Sequence, residues 1–202
     1  FPFMANSFFA ECSKQKTEDF SSVEYAAIST DRGRERSFAT TIHADKKVRK
    51  CPLYAEGISN AKALYSNTQD LINHGIPVVD HVMTKEGNII MPYVEWPTLS
   101  NFIKEIKNDK AAVMELLERL YKNILSASEI VCEENSQAKE HNRLLDYVET
   151  EEKTWDYGTI LKKAYMELIP LNCFVNPKTK EFLYFDQEFV RENYPAKYVL
   201  FR

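Results

Sequence analysis

Leu171-Asn-Cys-Phe-Val175, Asn176-Pro-Lys-Thr-Lys180 and Glu181-Phe-Leu-Tyr-Phe185, followed at once by Asp186-Gln-Glu188, form the stretch that decides the reading of this chain. Two β-favouring runs flank a turn with an Asn-Pro opening, so the segment predicts a small hairpin. A hairpin returns its ends to the same side. Asn172, at the start of the first run, and Asp186, just after the second, are therefore expected to be near neighbours. An amide oxygen beside a carboxylate is a hard-oxygen set suited to Mg2+, which takes its other ligands from water and phosphates. Glu167 is expected on the same loop, facing the substrate. The same residues also fit simpler roles: Asn172 satisfying backbone groups of the turn, Asp186 capping a helix.

Upstream of the hairpin the chain falls into two halves. Val23 to Thr30, Ser37 to His43 and Lys47 to Leu53 read as three strands. They are joined at Asp31-Arg-Gly33 and Ala44-Asp-Lys46, which makes an antiparallel meander. Tyr54 to Asn73 predicts a helix closed by Gly75 and Pro77. His81 to Thr84 and Asn88 to Val94 flank Lys85-Glu-Gly87 as a further hairpin. Beyond it the pattern is helical. Thr98 or Ser100 caps a short helix through Ile106, and Val113, Leu116, Leu117, Leu120 and Ile124 form an amphipathic stripe. Residues Glu133 to Asp156 are polar and read as a solvated helix or an excursion.

Composition narrows the function classes. With 202 residues, 44% hydrophobic and 28% charged, the chain holds one large domain or two small ones and is neither disordered nor membrane-embedded. A net charge of −4 argues against a main affinity for nucleic-acid phosphates, and no apolar run approaches a membrane span. Cys12, Cys51, Cys132 and Cys173 form no C-x-x-C pair, and His43, His74, His81 and His141 lack metal-ligand spacing. Ordinary thiols in a reducing compartment make the cytoplasm the expected location. Arg32, Arg34 and Arg36 cluster at the first turn, either as an exposed hairpin tip or as contacts for phosphates. Phe1 and the apolar Tyr198-Val-Leu-Phe-Arg202 suggest a domain taken from a longer chain.

Taken together, Glu167-Leu-Ile-Pro-Leu-Asn172, the hairpin and Phe185-Asp-Gln-Glu188 resemble the catalytic and metal-binding segments of the protein-kinase-like fold. Three strands, a helix and two strands are similar in order to a kinase N-lobe. Val48-Arg-Lys50 lies where the phosphate-binding lysine would stand, and Met91-Pro-Tyr-Val-Glu95 where the hinge would. Ser100–Ile106 and Ala111–Ile130 resemble the first C-lobe helices. Phe3-Met-Ala-Asn-Ser-Phe-Phe9, Arg32 to Thr41 and Tyr194-Pro195 bring the chain closer to kinase-like domains of bacterial surface-polysaccharide (O-antigen type) methyltransferase/kinase proteins.

That resemblance implies an α+β, two-lobed kinase-like fold. Residues 1–94 would form an N-lobe with a five-stranded antiparallel sheet and one helix. Residues 95–202 would form a reduced, mainly helical C-lobe with the small catalytic hairpin. It implies ATP and Mg2+ as cofactors: Lys50, Arg32, Arg34, Met91 and Tyr93 for the nucleotide, Glu56 as partner of Lys50, Asn172 and Asp186 for the metal, and Glu167 for the acceptor hydroxyl. The activity implied is phosphorylation of a hydroxyl of a sugar or polysaccharide in cell-surface polysaccharide biosynthesis. Its setting would be cytoplasmic, peripheral to the inner membrane through partners, with a methyltransferase domain in the same full-length chain. The alternatives are a pseudokinase that binds nucleotide or acts as a scaffold, favoured by glutamate at position 167 and by the lone Gly33 in the first turn, and a structural α+β domain without a ligand.

Overall fold

The computed structural model describes residues 22–29, 31–132 and 157–202. The predicted features at Phe3–Phe9 and at Glu133–Asp156 lie outside the described residues. The chain divides into two compact units, one comprising residues up to Lys62 with Asp80–Tyr93, the other Ala63–Val79 with Val94–Arg202. Residues 63–79, which fall before the predicted boundary near residue 94, group with the second unit. Leu71 and Ile76 are buried in the core of that unit.

In the first unit, β1 (Val23–Ser29), β2 (Phe38–His43), β3 (Lys47–Pro52), β4 (Val82–Met83) and β5 (Ile89–Pro92) form one antiparallel sheet. Its strand order is β1-β2-β3-β5-β4. The tight connections follow from local chemistry. Asp45 Oδ1 accepts from the Lys47 amide at 3.2 Å, closing the β2–β3 turn. Gly87 takes a φ of 86° in the β4–β5 turn, and a Cβ there would stand 3.2 Å from Ile58. Thr40, Lys50 and Ile89 are cross-strand neighbours, so they share one face of the sheet. Thr41, Arg49 and Ile90 share the other.

The predicted helix starts later than Tyr54. Ala55–Gly57 form a 3-10 turn and α1 runs over Ile58–Asn73. Gly57 is buried, with room for no side chain: a Cβ would sit 2.9 Å from that of Pro52. The C-terminus of α1 is a Schellman motif. The Ile76 amide donates to the Leu71 carbonyl at 3.0 Å, the Gly75 amide to that of Ile72 at 2.9 Å, and Gly75 supplies the left-handed residue.

In the second unit Thr98 caps α2 (Leu99–Glu105) and Asp109 caps α3 (Lys110–Ser126), each through its side-chain oxygen. Leu116, Leu120 and Ile124 of α3 are buried, as their spacing requires. The expected hairpin is present as β8 (Cys173–Val175) and β9 (Phe182–Tyr184), paired Cys173 to Tyr184. The expectation of a mainly helical second half needs correction. β6 (Ile130–Cys132), β7 (Ile160–Tyr165) and β10 (Val190–Pro195) form a three-stranded antiparallel sheet, in the order β10-β7-β6. β6 takes the end of the predicted Ala111–Ile130 helix. In β7, Ile160, Leu161, Ala164 and Tyr165 are buried around exposed Lys162 and Lys163, a paired pattern that the alternation test misses. The chain closes with α4 (Ala196–Phe201), which buries Ala196 and Val199. No helix among the described residues is long and apolar enough to cross a membrane.

Candidate functional site

The hairpin brings its two ends together as expected. The Phe185 amide donates to the Asn172 carbonyl at 3.0 Å, one residue before Asp186. The hairpin is anchored by its neighbours: the Tyr184 amide donates to Pro77, its carbonyl accepts from Val79, and the Val175 amide donates to Pro97. Asn123 donates to the buried Tyr184 hydroxyl at 3.1 Å. These bonds fix β8 and β9, and with them the loop that precedes the hairpin and the residues that follow.

Asn172 Nδ2 donates to Glu167 Oε2 at 2.5 Å. The amide nitrogen is thus committed to a carboxylate. Asp186 follows β9 with φ of 59°, a left-handed conformation that Asp and Asn tolerate better than most side chains. The pair is chemically suited to a hard cation such as Mg2+, with one amide oxygen and one carboxylate. Among the described residues no group of three or more His, Cys, Asp or Glu is placed to hold a metal.

Glu167 is largely buried, with 12% of its side chain exposed. Its second oxygen, Oε1, accepts from Arg202 Nη1 at 2.9 Å, and the same nitrogen reaches the Met166 carbonyl at 3.0 Å. α4 therefore sets a guanidinium on the carboxylate that the kinase-like resemblance would give to the acceptor hydroxyl. Nothing in the sequence signals this contact, because it depends on where α4 packs. Gln187 was also missed, although it stands beside Asp186. It is 1% exposed, and its Nε2 donates to the Glu167 carbonyl at 3.0 Å and the Phe185 carbonyl at 2.8 Å. Its Oε1 is buried with no hydrogen-bond partner among the described residues, an arrangement that costs about 1–3 kcal/mol.

In the first unit, Lys50 lies on central strand β3 with 7% exposure, and its ammonium stands 5.1 Å from the Phe38 ring centroid. The expected pairing of Glu56 with Lys50 is replaced by another. Arg34 Nε donates to Glu56 at 2.9 Å, and that bond holds the Glu56 carboxyl below its usual range. Glu56 lies on the exposed 3-10 turn before α1, within reach of the β1–β2 connection. Arg34 also stacks over Tyr54, at 4.2 Å from the ring centroid, and both Arg32 and Arg34 are exposed. Met91 lies on β5. Tyr93 follows it, with its amide donated to the Lys46 carbonyl at 2.8 Å. A shallow depression of about 370 Å³ is lined by Met91 together with Lys46, Lys47, His81, Val82 and Ile90, among others.

Compared with protein-family models and with curated proteins, the chain matches none.

One chemical consequence can be checked directly. Cys173 is fully buried in β8, and burial pushes its thiol up to about 12, so it stays protonated and unreactive at neutral pH. Iodoacetamide at pH 8 is expected to leave Cys173 unlabelled in the native protein and to label it fully in urea, as read by peptide mass spectrometry. Native labelling at the rate of a free thiol would show that β8 opens.

Proposed function

We propose that the chain is a kinase-like, nucleotide- and Mg2+-dependent phosphotransferase acting on a hydroxyl, with a sugar or polysaccharide of the bacterial cell surface as the acceptor that the sequence resemblance suggests. The observation that carries this reading is Asn172, whose side-chain amide is donated to Glu167 while its main-chain carbonyl accepts from Phe185, the residue before Asp186. Mg2+ held by Asn172 and Asp186 would neutralise phosphate charge, which is most of what phosphoryl transfer requires. Glu167 would orient the acceptor hydroxyl by accepting its proton in a hydrogen bond. Lys50 supports the nucleotide role, since a buried lysine is uncommon and an ammonium suits point contact with phosphate oxygens. Arg32 and Arg34, exposed beside the first turn, are available to the nucleotide only if Arg34 exchanges its Glu56 contact.

A second reading, a nucleotide-binding pseudokinase, is favoured by one contact. Arg202 occupies the Glu167 oxygen that Asn172 does not. Transfer would then require the guanidinium to yield to the acceptor.

Thermal unfolding with ATP, with Mg2+ and with both, for the wild type and Asp186→Asn, tests the reading. Asparagine keeps the shape and tolerates the left-handed backbone, so the variant is expected to fold. Ligand at ten times its dissociation constant stabilises by about 1.4 kcal/mol, a rise of roughly 3–5 °C for a chain of this size. The rise should need both ATP and Mg2+ and should vanish in Asp186→Asn. No shift in the wild type would remove the nucleotide site. Asp186-dependent transfer of labelled phosphate from ATP to an O-antigen-type glycan would decide for the enzyme over the pseudokinase.

A further inference from the structure

Phe185-Asp-Gln-Glu188 places a glutamine between two carboxylates, and the fold buries it completely while both carboxylates remain partly exposed. A buried side-chain amide is normally hydrogen-bonded at both ends, so one bonded at a single end points to a purpose for the bonds it does make. Here the purpose is visible in the donors. Both Nε2 hydrogens go to main-chain carbonyls, one belonging to Glu167 and the other to Phe185, the residue before Asp186. Two carbonyl oxygens on one end of the amide fix its orientation, and the oxygen end is left buried without a partner among the described residues. The main-chain carbonyl of Gln187 accepts from Asn67 of α1 at 3.0 Å, which ties the brace to a helix.

We propose that Gln187 is a positioning residue for the Asn172–Asp186 cation site, its side-chain amide clamping the Glu167 peptide to the Phe185–Asp186 peptide. This inference rests on the metal reading given above. The Glu167 peptide carries the carboxylate that orients Asn172, and the Phe185–Asp186 peptide carries the other oxygen ligand. The clamp therefore sets the spacing of the two ligands without touching the cation. Residues that orient metal ligands in this way typically cost about 10–100-fold in affinity when removed.

The test is Mn2+ binding, read by the loss of its free electron paramagnetic resonance signal, in nucleotide-free protein held well below the unfolding temperature. Gln187→Met keeps the volume and removes both donors. It is expected to weaken Mn2+ at least about tenfold. Leu120→Ala, which lowers stability from α3, is expected to leave Mn2+ affinity unchanged. Equal affinity in wild type and Gln187→Met overturns the positioning role and leaves the metal reading standing. Equal weakening in Leu120→Ala overturns it too, because the effect would then follow stability. No Mn2+ uptake by the wild type removes both readings. Should Gln187→Met not fold, Gln187→Asn, whose amide is one methylene short, is expected to show a smaller loss, and unchanged affinity in it overturns the proposal.

Discussion

Replacing Leu120 with alanine is expected to destabilise the second unit by about 2–5 kcal/mol, the range for truncating a fully buried leucine. Leu120 is 0% exposed and sits at the middle of the α3 stripe, between Leu116 and Ile124. The buried cluster it belongs to draws on several elements: Leu71 near the end of α1, Phe102 of α2, Leu161 of β7 and Val199 of α4. Strands and helices that meet from different directions do not collapse easily into a void, so the cavity term is expected to remain. Thermal unfolding followed by circular dichroism should show a fall of roughly 5–15 °C. Leu117→Ala, three residues away and only half-buried, serves as the comparison and should lose less. A loss below about 1 kcal/mol for Leu120→Ala, typical of surface positions, would mean that this face of α3 is not the buried one.

Asp70→Asn is expected to lower stability at neutral pH by about 1–3 kcal/mol and to make no difference in acid. The Asp70 carboxylate accepts from the Tyr165 hydroxyl and from Lys163 Nζ at 2.8 Å, joining α1 to β7. Burial by itself would raise the carboxyl, but the bonds from Lys163 and Tyr165 outweigh it and hold it below the ordinary range. Lys163 is about half exposed, so its share is screened and the tyrosine bond carries most of the effect. Burial, then the bond to Asp70, keeps the Tyr165 hydroxyl protonated far above neutral pH, so it remains a donor. A carboxyl whose folded value lies below its unfolded one contributes stability above the unfolded value. That contribution is lost as pH falls through the folded value. Denaturant midpoints of wild type and Asp70→Asn should therefore differ at pH 7 and converge below about pH 4. A difference that persists unchanged in acid would remove the charge from the explanation.

The hairpin illustrates how far local pattern reaches. Asn176-Pro177 and the runs on either side identified β8 and β9, and hairpin geometry alone placed Asn172 beside Asp186. The turns at Asp45 and Gly87, the caps at Thr98 and Asp109 and the stripe on α3 were equally legible, since each depends on residues within a few positions of one another. The three-stranded sheet was not. β7 joins partners about thirty residues away on either side, at Ile130–Cys132 and Val190–Pro195, and its Ile-Leu-Lys-Lys-Ala-Tyr run lacks the period of a half-buried strand.

Glu56 shows the same limit within the site. Its position just before α1 suggested a partner for Lys50, yet the turn that follows β1 brings Arg34 to it across 22 residues. Neighbouring spacing says which groups share an element, and only the packed chain says which charge arrives from elsewhere. The sequence alone thus determined the strands of the first unit, the helices α1 to α3, the hairpin and the adjacency of Asn172 and Asp186, because short-range stereochemistry and hydrophobic period specify them. Tertiary structure alone decided that Arg202 sits on Glu167, that Gln187 braces the Glu167 and Phe185 carbonyls and that β7 lies at the centre of a sheet. Those contacts join segments far apart in sequence, and only the packing of side chains in the core determines where such segments meet.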